Sequence, residues 1–294
     1  MEATGYYIFY ALNWLITLLP LRILYIFSDI LFIFLYWFPG YRRKVVDENL
    51  RNAFPEKSEK ERAVIARKFY SHLCDMFIET FKLPNMSRKE ALKRFRIENP
   101  EVLQGLFEKK KDVIAVIGHY NNWEIMNSLP LQSDYTFVSI YKPLKNKHFD
   151  KFLVKTRSRF GMVLTPMSHI LRELISFRSK GTLTVSSFLS DQTPAKTDIH
   201  YWTRFLNQET AVYLGAEKIA TKYNMAVAFF ELRKVKRGYY SLRIEVLFEE
   251  TRGLPEHVIT DTHVKHLESL ILEHPEYWVW SHRRWKHKRE VTNA

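Results

Sequence analysis

The chain has 294 residues and a formal net charge of +13, from 45 Lys+Arg against 32 Asp+Glu. With 46% hydrophobic residues and only 9 Gly and 11 Pro, it is neither a disordered linker nor a fibrous repeat, and it is long enough to bury a sizeable core. The single cysteine, Cys74, excludes an intrachain disulfide and a Cys-based metal cluster.

Residues 6–38 are apolar and aromatic, with Arg22 and Asp29 as their only charges. Pro20 and Arg22 divide them into two stretches, each short of the roughly 20 residues that a bilayer span needs. One tilted, kinked span or two helices lying in one leaflet fit this pattern. A buried hairpin of a soluble domain is the alternative. Tyr, Trp and Phe recur along the whole segment, as in interfacial helices. Met1-Glu2 supplies no basic n-region and no small-x-small site follows, which argues against a cleaved signal peptide. Arg42, Arg43 and Lys44 come next, and the positive-inside rule then places the rest of the chain on the cytoplasmic side of the membrane. A basic domain held there is drawn to an anionic membrane surface. Nucleic acid would be the other partner for such charge, but no zinc-finger spacing, RNP-like motif or basic zipper occurs, so none is expected. The expected division is a hydrophobic membrane anchor at 1–40 and an α/β domain at 41–294.

A long helix is expected over 56–82, with Val64, Ile65, Phe69, Leu73, Met76 and Phe77 near 3.6-residue spacing, Cys74 packed inside it, and Pro84 beyond its end. A short helix at 88–95 follows. Apolar, β-branched runs at 112–118, 135–141, 182–189 and 225–232 read as buried strands. A strand at 239–248 pairs with the last of these through Lys236-Arg237-Gly238. Helical patterns lie at 123–129, 147–160, 168–179, 211–223 and 261–273, with Thr210 as the simplest cap of the fourth. This alternation predicts an α/β fold, a mostly parallel central sheet flanked by helices, preceded by the N-terminal hydrophobic membrane-anchoring helical segment. Residues 286–294 read as a frayed tail.

Dinucleotide, P-loop, nucleophile-elbow and H-E-x-x-H motifs are absent, so no cofactor and no metal is expected. Gly118-His119-Tyr120-Asn121-Asn122-Trp123-Glu124 stands where the 112–118 strand runs out. Parallel α/β sheets bind ligands at the carboxyl ends of their strands. An imidazole there can fold back on Glu124, giving a base and an orienting carboxylate that act on a substrate hydroxyl. A histidine that merely caps or packs the strand end is the alternative. The other pair at this spacing, His263 and Glu268, falls inside a helix, about 140° apart, and reads as a solvated face. Asp191 follows the 182–189 strand and reads as a turn aspartate, a cation holder or an orienter of Lys142. Trp278, Trp280, Arg283, Arg284 and Trp285 interleave aromatics with bases, as at a head-group interface or in a solvated basic tail.

Taken together, these blocks resemble a known family. His119 to Glu124 is similar to the H-x4-[DE] block of glycerolipid and lysophospholipid acyltransferases, and with its Asn-Trp-Glu to the lipid A biosynthesis late (lauroyl/myristoyl) acyltransferases. Arg43 to Pro55, Tyr141-Lys142-Pro143-Leu144-Lys145-Asn146 with Arg157 to Gly161, and Asp191-Gln192 resemble further blocks of that family in order. Pro275 to Lys286 is similar to its Trp-x-Trp-x-His-x-Arg-Trp signature. The resemblance implies transfer of a fatty acyl group from a thioester, acyl carrier protein or acyl-CoA, to a hydroxyl of a lipid A precursor. His119 would be general base and Glu124 its orienter. Trp123, Lys142, Arg157, Arg159, Asp191 and Arg283 would contact substrate, acidic carrier or acceptor phosphate. Arg157 and Arg159 also suit the C-terminal dipole of their helix. Lys142 stands where the family usually has Arg and cannot make Arg's bidentate fork. Another lipid acceptor, or a non-catalytic membrane-bound adaptor, are the competing functions.

Overall fold

The computed structural model describes residues 2–38 and 40–289, with side chains from residue 5 onward. Residues 290–294 of the expected frayed tail lie outside the described residues.

Two helices, α1 (Glu2–Ile16) and α2 (Leu21–Trp37), meet at Pro20. At 1.5 Å per residue they are about 22 and 26 Å long, against about 30 Å of bilayer hydrocarbon. No helix among the described residues is long and apolar enough to cross a membrane. Helix α3 (Arg43–Ala53) leads to α4 (Glu59–Lys82), which starts one turn into the expected helix because Ser58 and Glu61 form a capping box. Leu21, Leu24, Tyr25 and Ser28 are buried on the face of α2 that packs on α4. The opposite face leaves Ile26, Phe27, Ile30, Phe34 and Trp37 exposed.

Next come α5 (Arg88–Arg94), β1 (Phe95–Ile97), α6 (Pro100–Glu108) and β2 (Val113–Ile117). The expected helix at 123–129 is a run of 3-10 turns over Trp123–Leu131, with Pro130 inside it. Then follow β3 (Thr136–Tyr141), α7 (Lys147–Ser158), β4 (Val163–Pro166), α8 (Ile170–Ser179) and β5 (Thr184–Leu189). A small antiparallel pair, β6 (Tyr201–Phe205) and β7 (Gln208–Val212), precedes α9 (Gly215–Tyr223). Thr210, Ala211 and Val212 therefore lie not at the start of a helix but at the end of a strand, in which pairing with β6 overrides the helical spacing. The Thr210 hydroxyl accepts from Trp285 Nε1 at 2.7 Å instead of capping α9. The chain ends with β8 (Ala226–Lys236), β9 (Tyr239–Phe248), α10 (Val258–Glu273) and an aromatic C-terminal segment.

The described residues form a seven-stranded sheet in the order β1-β9-β8-β2-β5-β3-β4. Strands β8, β2, β5, β3 and β4 run parallel, and β9 returns antiparallel to β8 with β1 beside it. The expected hairpin is present, and Gly238 in its turn has φ +73°. A Cβ on Gly238 would collide with the Tyr25 hydroxyl, so α2 also rests against this turn. Central β2 is buried on both faces: Val113, Ala115 and Ile117 join one core, with α5 and α6, and Ile114 and Val116 the other, with α4, α9 and α10. That double burial explains its unbroken apolar run.

Candidate active site

The carboxyl ends of β2 and β5 carry the site. The two strands are parallel neighbours in a register that pairs Ile117 with Leu189. Two residues beyond each, His119 and Asp191 therefore leave the sheet side by side. His119 Nδ1 lies 2.6 Å from Asp191 Oδ1, and the His119 backbone N–H donates to Asp191 Oδ2 at 2.8 Å. A carboxylate accepts, so Nδ1 carries the proton and Nε2 keeps its lone pair. The Gln192 side-chain amide occupies that lone pair at 3.1 Å.

Asp191 is buried and also accepts from Trp278 Nε1 at 2.8 Å. Burial alone would raise its carboxyl. The charge of His119 and the hydrogen bonds from His119 and Trp278 prevail and hold it at about 2. It is ionised at neutral pH.

Close packing places this loop. A Cβ on Gly118 would come within 2.5 Å of Leu267 Cδ1 on α10, so the backbone there lies directly on the helix. Asn121 adopts a left-handed φ of 54°, its N–H donates to the Tyr277 carbonyl at 2.9 Å, and its side-chain amide donates to the Leu232 carbonyl at 2.8 Å. Tyr120 and Trp278 form an antiparallel bridge. The C-terminal segment thus braces the histidine loop.

A cavity of about 420 Å³ opens beside His119, within the range of ligand pockets. Its polar wall holds His119, Glu124, Lys142, Arg157 and Gln192, and Met126, Ile140, Met162, Ile170 and Ile219 are among its apolar lining. Trp123 meets the His119 ring edge-to-face, with centroids 4.9 Å apart.

A family model described as bacterial lipid A biosynthesis acyltransferase matches residues 1–287. The chain belongs to this family. It is also 22% identical, over 243 residues, to a protein named lipid A biosynthesis acyltransferase from Haemophilus influenzae, covering 81% of this chain and 74% of that relative. The protein is an acyltransferase.

In this acyltransferase the partner of His119 is not the one the spacing suggested. The Glu124 carboxylate turns to Arg157, taking Nε at 2.9 Å and Nη2 at 2.5 Å, and one of its oxygens also accepts from Asn127 at 3.2 Å. Glu124 lies in the first turn of a 3-10 run that packs on α7, whereas His119 leaves β2 beside β5. Asp191, expected to be a turn residue, cation holder or orienter of Lys142, holds His119 because β5 neighbours β2. Burial would lower the Arg157 guanidinium, but the charge and hydrogen bonds of Glu124 together raise it. Lys142 follows β3 and is exposed at the cavity wall.

Two of the expected contacts lie elsewhere. Arg159 donates to the Met86 carbonyl at 3.2 and 3.0 Å and lines a separate space near α1. Arg283 is exposed on a groove shared with Lys44, Lys286 and Arg289. Trp278 and Trp280, expected at a head-group interface or in a solvated tail, are 1% and 0% exposed. Arg284 is buried and donates to the Ala211 carbonyl at 2.7 Å. His263, expected on a solvated face, is buried, and burial lowers it to about 4.

Sequence reasoning quoted Gln192 and Trp278 within motifs but gave neither a contact with the histidine or its carboxylate. Their signal was there, in Asp191-Gln192 and the C-terminal signature. Nothing in the sequence singled out Glu79, which accepts from Asn122 Nδ2 at 2.6 Å from the far end of α4.

Proposed function

We propose that this acyltransferase moves a fatty acyl group from a thioester to a hydroxyl of a lipid A precursor, with His119 as general base. The observation that carries this reading is the Asp191–His119 pair at the mouth of a largely apolar cavity. The acceptor oxygen attacks the thioester carbonyl carbon and gives its proton to His119 Nε2, displacing the Gln192 amide. Asp191 keeps Nδ1–H in place and stabilises the imidazolium. When the tetrahedral intermediate collapses, the C–S bond breaks and the proton passes from Nε2 to the thiolate, leaving an ester and a free thiol. Arg157, held by Glu124 in the cavity wall, favours the negative charge on the intermediate. The apolar lining takes the acyl chain, and Lys142 at the wall meets donor or acceptor phosphate. Acyl carrier protein, acidic and thioester-bearing, suits the +13 charge as donor.

We further infer that residues 1–40 anchor the enzyme in one leaflet of the inner membrane, its catalytic part facing the cytoplasm. The two short helices and the exposed Ile, Phe and Trp face of α2 support an interfacial position.

The test is the lipid mass spectrum of a deletion strain. Lipid A lacking one acyl chain, restored by the wild-type gene and not by His119→Ala, is expected. Unchanged lipid A would move the activity to another lipid acceptor, and full rescue by His119→Ala would remove the catalytic assignment.

A further inference from the structure

The catalytic loop is tied to the N-terminal helices through one carboxyl group. Glu79 lies on α4 and is buried. Its Oε1 accepts from the Tyr25 hydroxyl of α2 at 2.8 Å. Its Oε2 accepts from the Tyr240 hydroxyl of β9 at 2.8 Å and from Asn122 Nδ2 at 2.6 Å. Asn122 is an amide with two ends. While its nitrogen is held by Glu79, its Oδ1 accepts the Glu124 backbone N–H at 3.2 Å and caps the 3-10 turn that carries Glu124. A short relay therefore runs from Tyr25 through Glu79 and Asn122 to the residue that holds Arg157.

A buried carboxyl group is costly unless its oxygens are hydrogen-bonded. An apolar residue would fill this space between α2, α4 and β9 more cheaply, and the three donors converge on the group from three different elements. We propose that Glu79 is a positioning residue for acyl transfer. It fixes Asn122, and with it the Glu124–Arg157 wall, according to whether α2 is seated on α4. The seating of the N-terminal helices is thereby felt in the active site without touching substrate. This inference rests on the acyltransferase reading of the His119 cavity.

The experiment uses the full-length enzyme in anionic phospholipid vesicles, with dodecanoyl-acyl carrier protein as donor and a hydroxyacylated lipid A precursor as acceptor. Glu79→Ala is expected to lose tenfold or more in kcat with KM little changed, at temperatures well below its melting transition. Glu79→Gln keeps the acceptor for Asn122 and Tyr240 and can donate to the Tyr25 oxygen, so it is expected to restore kcat to within threefold of wild type. A role in packing alone would not give this split or this rescue. Should Glu79→Ala fail to fold, a cycle of Tyr25→Phe and Asn122→Ala, which both retain Glu79, decides. Losses in kcat that are less than additive support the relay, and additive losses overturn it. Wild-type kcat in folded Glu79→Ala, or equal losses in Ala and Gln, also overturn it. His119→Ala runs alongside: if it turns over normally, the acyltransferase site itself is misassigned, whereas an inactive His119→Ala with a normal Glu79→Ala removes this inference alone.

Discussion

Two carboxylates serve the site: Glu124 lines the cavity, and Asp191 stands behind His119 outside its lining. At one end Asp191, 1% exposed in its side chain, receives an imidazole, an indole N–H and a backbone N–H. At the other, Glu124, 8% exposed, receives a guanidinium and an amide. The first arrangement leaves Nε2 to take a proton once the Gln192 amide is displaced. The second holds a cation in the cavity wall. Equal chemistry in the side chain thus yields a base-orienting group in one place and a charge-holding group in the other, and the partner delivered by the neighbouring element makes the difference.

Substitutions at the two ends should separate these roles. His119→Ala is expected to have the largest effect, a loss of about 10²–10⁴-fold in kcat, the scale of general-base help. Asp191→Asn should come close to it, with a loss of up to about 10⁴-fold from a wrongly held tautomer. If steady-state kinetics with an acyl thioester show Asp191→Asn near wild type and Glu124→Gln inactive, the roles of the two ends are exchanged. Glu124→Gln is expected to cost less, about ten- to a hundredfold, because it leaves Arg157 partly buried beside a neutral amide and weakens charge stabilisation without touching the base. Restoration of Glu124→Gln activity by a second change at Arg157 would argue that the unpaired cation, and not the lost carboxylate, does the damage.

Smaller effects should follow behind Asp191. Trp278→Phe keeps an aromatic side chain but removes the N–H to Asp191 and leaves a gap at a buried site, so a loss of about tenfold or more in kcat is the scale to expect. An unchanged rate would mean that His119 alone holds Asp191. The smallest effect on turnover is expected at His263, which borders a water-sized space with Asp191 and Arg284. Burial lowers its pKa from 6.5 to about 4, so the folded protein keeps it neutral where the unfolded chain binds a proton. Its contribution to stability is therefore present above pH 6.5 and is lost as the pH falls towards 4, at about 1.4 kcal/mol per pH unit. Melting curves of wild type and His263→Leu should converge or cross as the pH drops through this window. Parallel curves would show that His263 is not buried in neutral form.

The aromatic-rich ends of the chain show how far composition reaches. Residues 6–38 and 275–285 both read as interfacial. In the first, the outer face of α2 is exposed. In the second, Trp278, Trp280 and Trp285 each find an acceptor for the indole N–H, at Asp191, the Pro275 carbonyl and Thr210, and turn inward. Composition gives an aromatic segment its amphipathic character, but the acceptors that decide its direction come from elements 75 or more positions away in two of these three cases. The helix expected at 211–223 starts late, at Gly215, for a similar reason, since Ala211 and Val212 pair with β6.

Read along the chain, the residues determined most of the elements. Period and β-branching mark the parallel strands, Ser58 and Pro84 bracket the long helix, and His119 stands at a strand end where chemistry is done. These are local consequences of backbone sterics and burial, legible wherever neighbours in sequence are neighbours in space. The order of strands is not local. Only the tertiary structure set β5 beside β2 in the register that delivers Asp191 to His119, turned Glu124 towards Arg157, and folded Trp278 against Asp191, because a hydrogen bond needs two groups about 3 Å apart and only the folded chain brings residues 72 positions apart to that distance.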